Sequence, residues 1–474
     1  MKRKDFVRLT GILTAGSLLK QNILYSQTNV DNFPVVRVPL LKRKFTSEAV
    51  EKAIANFKQK VTNKELAWLF ENCFPNTLDT TVDFEMIDGK PDTYVITGDI
   101  DAMWLRDSTA QVWPYLWLIK EDKQLQQLIA GVINRQAKNI LLDPYANAFY
   151  KDPNKISEWK DDATDMKPGL QERKWEIDSL CYPLRLSYHY WKQSGDITPF
   201  DKQWKKAALL IVKTFKEQQR KTNKGPYKFE RRTSWATDGV PLGGYGYPAK
   251  PVGLIHSMFR PSDDATIFPF LIPSNFFAVV SLQQLAELSA KIYNDAAFAN
   301  ECTALSKEIE NALLQHAIVT HPQFGKVYAY EINGYGSFNL MDDANVPSLL
   351  SLPYLGAVKN TDPVYINTRK LLLSNYNPFF FKGKASEGIG GPHAGTDLIW
   401  PLSIIIRALT SNNDVEIKKC LGILQQSHAG TGFMHETFHK DDAKKFTRSW
   451  FAWANTIFGE LLHKTMESKP YLLK

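Results

Sequence analysis

The chain is 474 residues long, a length that suits two or three domains or one large ring of helices. Its hydrophobic content of 44% and charged content of 23% are those of a globular enzyme. The formal net charge of +8 falls to +4 once residues 1–26 are set aside, and no basic run remains, which leaves no argument for a nucleic-acid surface.

Lys2, Arg3 and Lys4 precede an apolar run at 9–19, and a polar stretch containing Ser26 follows. Basic, apolar, then small is the order of a signal peptide, and the run is too short to span a bilayer. Export to the periplasm or the cell exterior is therefore expected, although Arg3-Lys4-Asp5-Phe6 matches a twin-arginine signal only loosely. Cys73, Cys181, Cys302 and Cys420 are far apart and form no C-x-x-C pair, so buried thiols are expected rather than a zinc knuckle or a redox motif. The expected organisation is a signal peptide at 1–26, a lead-in at 27–46, and one domain at 47–474.

From 47 to 74 the periodicity is helical, with Pro75 and Asn76 as the stop. A hairpin follows, with alternating residues at 82–87, a turn at Asp88-Gly89 and a return at 92–96. Helices are predicted near 107–119, 123–142, 176–194 and 200–221. Two more are predicted near 275–293 and 295–316, then a short strand pair at 326–332. Further helices are expected near 346–355, 363–374, 397–410, 413–427 and 447–466. Long polar loops occupy 143–174, 224–273 and 377–396. Short turns alternate with decorated loops and no fixed repeat period is present. That pattern predicts an all-α fold of helical hairpins closed into an (α/α)6 toroid.

Three stretches carry candidate chemistry. At 97–117, Asp99, Asp101, Arg106 and Asp107 are interleaved with Met103, Trp104 and Leu105. Asp107 or Ser108 can cap a helix start. Carboxylates and a guanidinium can pair with sugar hydroxyls, and Trp104 can cover a ring face; a capped helix with a surface Arg106–Asp107 pair is the plain alternative. At 259–275, Asp263 and Asp264 are adjacent carboxylates among apolar residues, where crowding and desolvation favour a protonated acid. The alternative is a cap, or an ion pair with Arg260. At 430–439, His435, Glu436 and His439 match H-E-x-x-H, with Glu460 as a conceivable third zinc ligand. That motif needs a helix, yet Gly430 and Gly432 precede it and Lys440-Asp441-Asp442 follows. Glu436 alone, after a glycine-rich turn, suits a base that holds a water. Two carboxylates on separate loops fit glycoside hydrolysis by acid and base.

Taken together, GDIDAMWLRDS at 98–108, WEIDSLCYP at 175–183, RPSDDA at 260–265, IPSNFF at 272–277, GPHAGTDLIWP at 391–401 and MHETF at 434–438 resemble glycoside hydrolase family 125. These are exo-acting α-1,6-mannosidases related to a fungal meiotically up-regulated protein. The resemblance runs from about residue 47 to the end. It implies an (α/α)6 fold, an α-mannoside oligosaccharide substrate and an inverting mechanism without metal. It assigns the general acid to the Asp pair, with Asp263 preferred over Asp264, and the general base to Glu436. Arg106, Asp107 and Ser108 match the segment that holds the terminal mannose, and Glu176, Asp178, His393 and Asp397 are expected to line the site. Trp104, Trp235, Tyr245 and Tyr247 are expected aromatic liners. The competing expectations are another sugar preference such as glucose, a zinc peptidase, and a sugar-binding protein without turnover.

Overall fold

The first two helices show how the sequence sets its boundaries. In the computed structural model, which describes residues 33–474, the expected helix at 47–74 is two: α1 (Glu48–Lys60) and α2 (Lys64–Cys73). β-branched Val61 and Thr62 break the run, and the Asn63 side chain accepts the Leu66 N–H at 3.0 Å to start the second helix. A short α3 (Asn76–Thr80) follows. The preceding lead-in docks here, with Arg37 bound to Asp79 at 2.7 Å and to Glu51 at 2.5 Å.

The hairpin of strands Val82–Ile87 and Lys90–Val95 forms as expected. Asp88 and Gly89 both have positive φ, 50° and 76°, the turn that matches strand twist. Ten helices follow in chain order. They are α4 (Leu105–Val112), α5 (Lys123–Leu142), α6 (Ile177–Ser194), α7 (Lys202–Gln218) and α8 (Ile272–Ile292). The rest are α9 (Ala296–His316), α10 (Pro363–Leu372), α11 (Pro401–Leu409), α12 (Asp414–Ser427) and α13 (Ala452–Ser468).

Five of them pack in series: α11 on α13, α13 on α4, α4 on α6, and α6 on α8. The others back this series, with α5 on α6 and α7, α9 on α8, α12 on α11, and α2 on α13. One contiguous apolar core runs through the contacts, from Ala49 to Leu473. The four cysteines are buried free thiols. No helix among the described residues is long and apolar enough to cross a membrane.

The two groups of helices start differently. Ser47, Asn63, Asp122, Asp201, Asp295, Asp362 and Asn413 each cap a helix outside the series with a side-chain oxygen. The five serial helices begin after Trp104, Glu176, Leu271, Trp400 and Phe451, none of which makes a side-chain cap. Their first N–H groups are therefore left for other partners.

Three expectations are corrected. Residues 346–355 form turns, not a helix. There the Asp342 carboxylate accepts the N–H groups of Leu349 and Leu350, and Ser348 and Ser351 take each other's N–H, so side chains use the donors a helix needs. The strand pair placed at 326–332 is a hairpin of Ile318–His321 and Gly325–Tyr328. The separate strand Glu331–Ile332 lies between Phe270–Leu271 and Phe338–Asn339. The last long helix begins at Ala452 rather than 447, because Thr447 N–H bonds Thr437 O and Phe451 N–H bonds Met434 O.

Candidate active site

The first residues of α4 and α13 open on a cavity of about 420 Å³, within the range of small-ligand sites. All three long loops wall it. Glu158, Trp159, Glu172 and Lys174 come from the first, Arg231, Asp238 and Asp263 from the second, and His393 from the third.

Asp263 owes its position to a closed turn. Phe259 and Ala265 form an antiparallel bridge, Arg260 N–H bonds Asp264 O at 2.8 Å, and Asp263 N–H bonds Arg260 O at 2.9 Å. Asp263 takes a left-handed φ of 65°, a strained state for a residue with a side chain and one found at functional sites. The turn is clamped by Arg260 on buried Glu331 at 2.7 Å. The two adjacent carboxylates thereby part: Asp263 lines the cavity with 21% of its side chain exposed, while Asp264 is fully buried and accepts the Ser262 hydroxyl at 3.2 Å.

Glu436 stands on another wall. The strand Phe438–His439 pairs with Asp442–Phe446, and this hairpin returns Thr447 and Arg448 beside Glu436. Thr447 Oγ1 donates to Glu436 Oε2 at 2.8 Å, and Arg448 Nη1 lies 3.4 Å from Oε1. Gly432, with φ of 80°, lets the approach pass close to the core, since a Cβ there would lie 2.7 Å from Val36 and 2.8 Å from Trp68.

Arg106 is the hub of the floor. Its guanidinium reaches Glu176 at 2.6 Å, Asp178 at 3.2 Å, Asp263 at 3.3 Å and Asp107 at 3.5 Å. Burial lifts the Asp107 and Asp178 carboxyls to about 6 in each case, against the pull of Arg106. Lys174 ties the opposite side, donating to Asp238 at 2.7 Å and to Asp263 O at 2.9 Å.

The expected residues divide accordingly. Trp104, Arg106, Asp107, Asp263, His393 and Glu436 line one cavity. Asp107 and Ser108 are not caps: they are the third and fourth residues of α4. Ser108 is fully buried and donates to Leu105 O, accepting from Gln136. Glu176 and Asp178 are fully buried beneath Arg106 rather than in the wall. Asp264 supports the turn, and Asp397 binds Lys440 at 2.7 Å outside the cavity. Trp235, Tyr245 and Tyr247 do not line it; Trp159, Trp400, Phe451 and Trp453 do. Lys174, Glu172, Arg231 and Arg448 were also missed. The strand pairing of Met103–Trp104, Ala148–Phe149 and Leu170–Glu172 brings the first two in, a contact with no local sequence signal.

The H-E-x-x-H run is not a helix, so its two imidazoles share no face. His435 donates Nδ1–H to Arg448 O and Ser449 O at 3.0 and 2.9 Å and stacks on Phe446. Burial pushes its pKa down to about 4. Glu460 is held by Lys464, Tyr354 and Trp113 on α13 and its neighbours. Among the described residues no three His, Cys, Asp or Glu side chains are grouped to hold a metal ion.

A pocket walled by aromatics, with carboxylates on separate loops, defines a carbohydrate-processing enzyme. Residues 63–463 match the family described as metal-independent alpha-mannosidase (GH125), and the chain belongs to that family of glycoside hydrolases. It is 44% identical over 468 residues to the meiotically up-regulated gene 157 protein of Schizosaccharomyces pombe, covering 95% of this chain and 92% of that one. It is also similar to the solved structure of a metal-independent alpha mannosidase of Streptococcus pneumoniae, in a non-productive substrate complex with α-1,6-mannobiose. There the TM-score is 0.86 and the identity 39%, over 90% of this chain and all of the other. A bacterial glucoamylase shares the fold at a TM-score of 0.53 and 15% identity, covering 89% of this chain and 59% of its own.

Proposed function

We propose that the protein removes terminal α-1,6-linked mannose from oligosaccharides, such as mannan or N-glycan fragments, by an inverting acid/base mechanism. The observation that carries this reading is the placement of Asp263 and Glu436 on different walls of one cavity, each held by its own set of donors. The α-1,6-mannobiose seen with the Streptococcus pneumoniae relative supports the linkage.

Asp263, protonated, gives its proton to the glycosidic oxygen as the C1–O bond breaks. Glu436, ionised, takes a proton from a water that attacks C1 from the opposite face, and the product is β-mannose. A carboxyl separation of about 6.5–9.5 Å leaves room for that water. Arg106 and Asp107 bind hydroxyls of the terminal sugar, and Trp104 packs on its apolar face. Thr447 and Arg448 orient the base.

The serial packing of α4, α6, α8, α11 and α13 supports the (α/α)6 toroid. The turns at 342–356 take the remaining inner place, joined to α6 by Tyr182 and to α13 by Glu460. The single catalytic domain at 47–474 and the lead-in at 27–46 belong to the same reading. The signal at 1–26 lies outside the described residues; sequencing the N-terminus of exported material should find the chain cut near 26.

The deciding experiment follows the anomeric protons by NMR as the purified protein acts on α-1,6-mannobiose in excess chelator. Initial β-mannose is expected. Initial α-mannose would overturn inversion, and activity that needs added zinc would restore the H-E-x-x-H reading.

A further inference from the structure

Glu176 lies directly before α6, beneath the cavity floor, and none of its surface is exposed. Its Oε2 accepts from Arg106 at 2.6 Å and from the Ser179 hydroxyl at 2.8 Å. Its Oε1, fully buried, receives no N–H or O–H from any other donor among the described residues. The Glu176 and Asp263 carboxyls sit side by side on the two Nη atoms of one guanidinium, Glu176 at 2.6 Å and Asp263 at 3.3 Å. Two carboxyls crowded onto one cation away from water favour sharing a single proton, and a proton on Glu176 would answer its orphaned Oε1.

The surrounding charges decide where that proton rests. Arg106 is shared by four carboxyls, the buried Asp107, Glu176 and Asp178 and the cavity-lining Asp263, so one positive charge faces more negative charge than it can balance. Lys174 and Asn147 approach from the Asp263 side, with Glu172 behind them. Arg448 and Asp107 are the other charges close to Asp263, and Asp178 is the remaining neighbour of Glu176. Burial opposes the charged form of Asp263, yet Arg106, Lys174 and the proton shared with Glu176 outweigh it and hold Asp263 below the usual carboxylate range. Burial, with Asp263 and Asp178 close by, pushes Glu176 well above its own, despite Arg106. Asp263, the group that must act as an acid, is thus the ionised member of the pair in the free site.

We propose that Glu176 is a positioning residue that stores, beneath the floor, the proton Asp263 delivers to the glycosidic oxygen. The inference rests on the acid/base reading given above. The pair enters turnover with one proton. Transfer from Glu176 to Asp263 makes Asp263 the neutral acid, and its donation to the leaving oxygen accompanies cleavage of the C1–O bond. Both carboxyls then stand ionised. Glu436, having taken a proton from the attacking water, releases it to solvent, and the pair regains one from solvent. The store keeps an acid available above the pH at which an isolated Asp263, flanked by Arg106 and Lys174, would be empty.

The test compares Glu176→Gln with the unaltered protein on α-1,6-mannobiose and on α-mannosyl fluoride, whose fluoride leaves without a proton. The variant should lose on the order of 100-fold in kcat on mannobiose at neutral pH. It should keep its rate on the fluoride within a few-fold, and the alkaline limb of its kcat/KM profile on mannobiose should move to lower pH. Equal losses on both substrates, or an unmoved alkaline limb, would overturn the proposal. If Glu176→Gln does not fold, Glu176→Asp, which withdraws the carboxyl by one carbon, takes its place with the same expectations. In the unaltered protein the alkaline limb should lie above the usual carboxylate range with mannobiose and be missing with the fluoride; identical limbs would count against the store. Failure of the unaltered protein to hydrolyse mannobiose, or release of α-mannose first, would strike the acid/base reading instead.

Discussion

Thr447 donates its hydroxyl to Glu436 Oε2 at 2.8 Å, and the same hydroxyl is paired with that of Thr437 at 2.8 Å. The two ends of the 438–446 hairpin are thus tied at the carboxylate proposed as base. A base acts only if it is ionised and aimed. Glu436→Gln should lower kcat by about 10²–10⁴-fold on mannobiose and on α-mannosyl fluoride alike, because both need the water activated. KM should change little. Thr447→Val should cost about tenfold, by loss of aim. Steady-state kinetics on the two substrates check both expectations.

The two residues of the Asp263–Asp264 pair should separate cleanly. Asp263→Asn removes the acid and should spare the fluoride while losing about 10²–10⁴-fold on mannobiose. Asp264→Asn alters a fully buried support that holds Ser262, so the two substrates should lose rate together and the melting temperature should fall. A fluoride-selective loss in Asp264→Asn would exchange the assignments.

These assignments were partly legible in the sequence, and the line between legible and hidden follows the caps. Asp122, Asp362 and Asn413 announce their helices, and the expected starts at 123, 363 and 413 fall at or within one residue of the observed ones. Four of the five serial helices have no such signal, since Trp104, Leu271, Trp400 and Phe451 are aromatic or aliphatic. Their starts were expected at 107, 275, 397 and 447, which lie two to five residues away. The missing caps belong to the site. Uncapped helix starts at Trp104, Trp400 and Phe451 leave N–H donors and a positive helix end near the cavity, favourable to carboxylates by about 0.3–1 kcal/mol each. Asp263, Arg106 and Glu436 could be found because they sit in recognisable motifs. Lys174 and Glu172 could not, because they reach the cavity through strand pairing across more than twenty residues of chain, nor could Arg231, which is held there by ion pairs to Asp162 and Glu172 far away in sequence.

Arg106 should be the least replaceable residue of the floor. Arg106→Ala leaves Asp107, Glu176, Asp178 and Asp263 without their shared cation, and breaking a buried pair of this kind costs about 3–5 kcal/mol. Arg106→Lys keeps the charge but not the planar fork that reaches several carboxyls at once. It should fold, with a lower melting temperature and a kcat/KM reduced by about 100-fold. Denaturant melts and kinetics of the two variants check this; a fully active Arg106→Lys would show that charge alone suffices.

Far from the cavity, Glu416 in the first turn of α12 gives a pH signature of stability. It accepts from Ser411 at 2.5 Å, from Arg369 at 2.8 Å and from Arg407 at 2.7 Å. Burial works against its charge, but the Ser411 hydroxyl and the two guanidinium groups outweigh it and bring the carboxyl down to about 2. A carboxyl lowered on folding adds stability above its unfolded value near 4.5, and that stability is lost as pH falls toward 2. With allowance for solvent screening, the contribution at neutral pH is about 2 kcal/mol. Glu416→Gln should therefore be less stable than the parent at pH 7 by about that amount. The gap should shrink by more than half at pH 3, where the parent has given up most of the advantage. Urea unfolding of both proteins at the two pH values measures the gap directly, and a gap that does not change with pH would mean that Glu416 contributes through packing rather than charge.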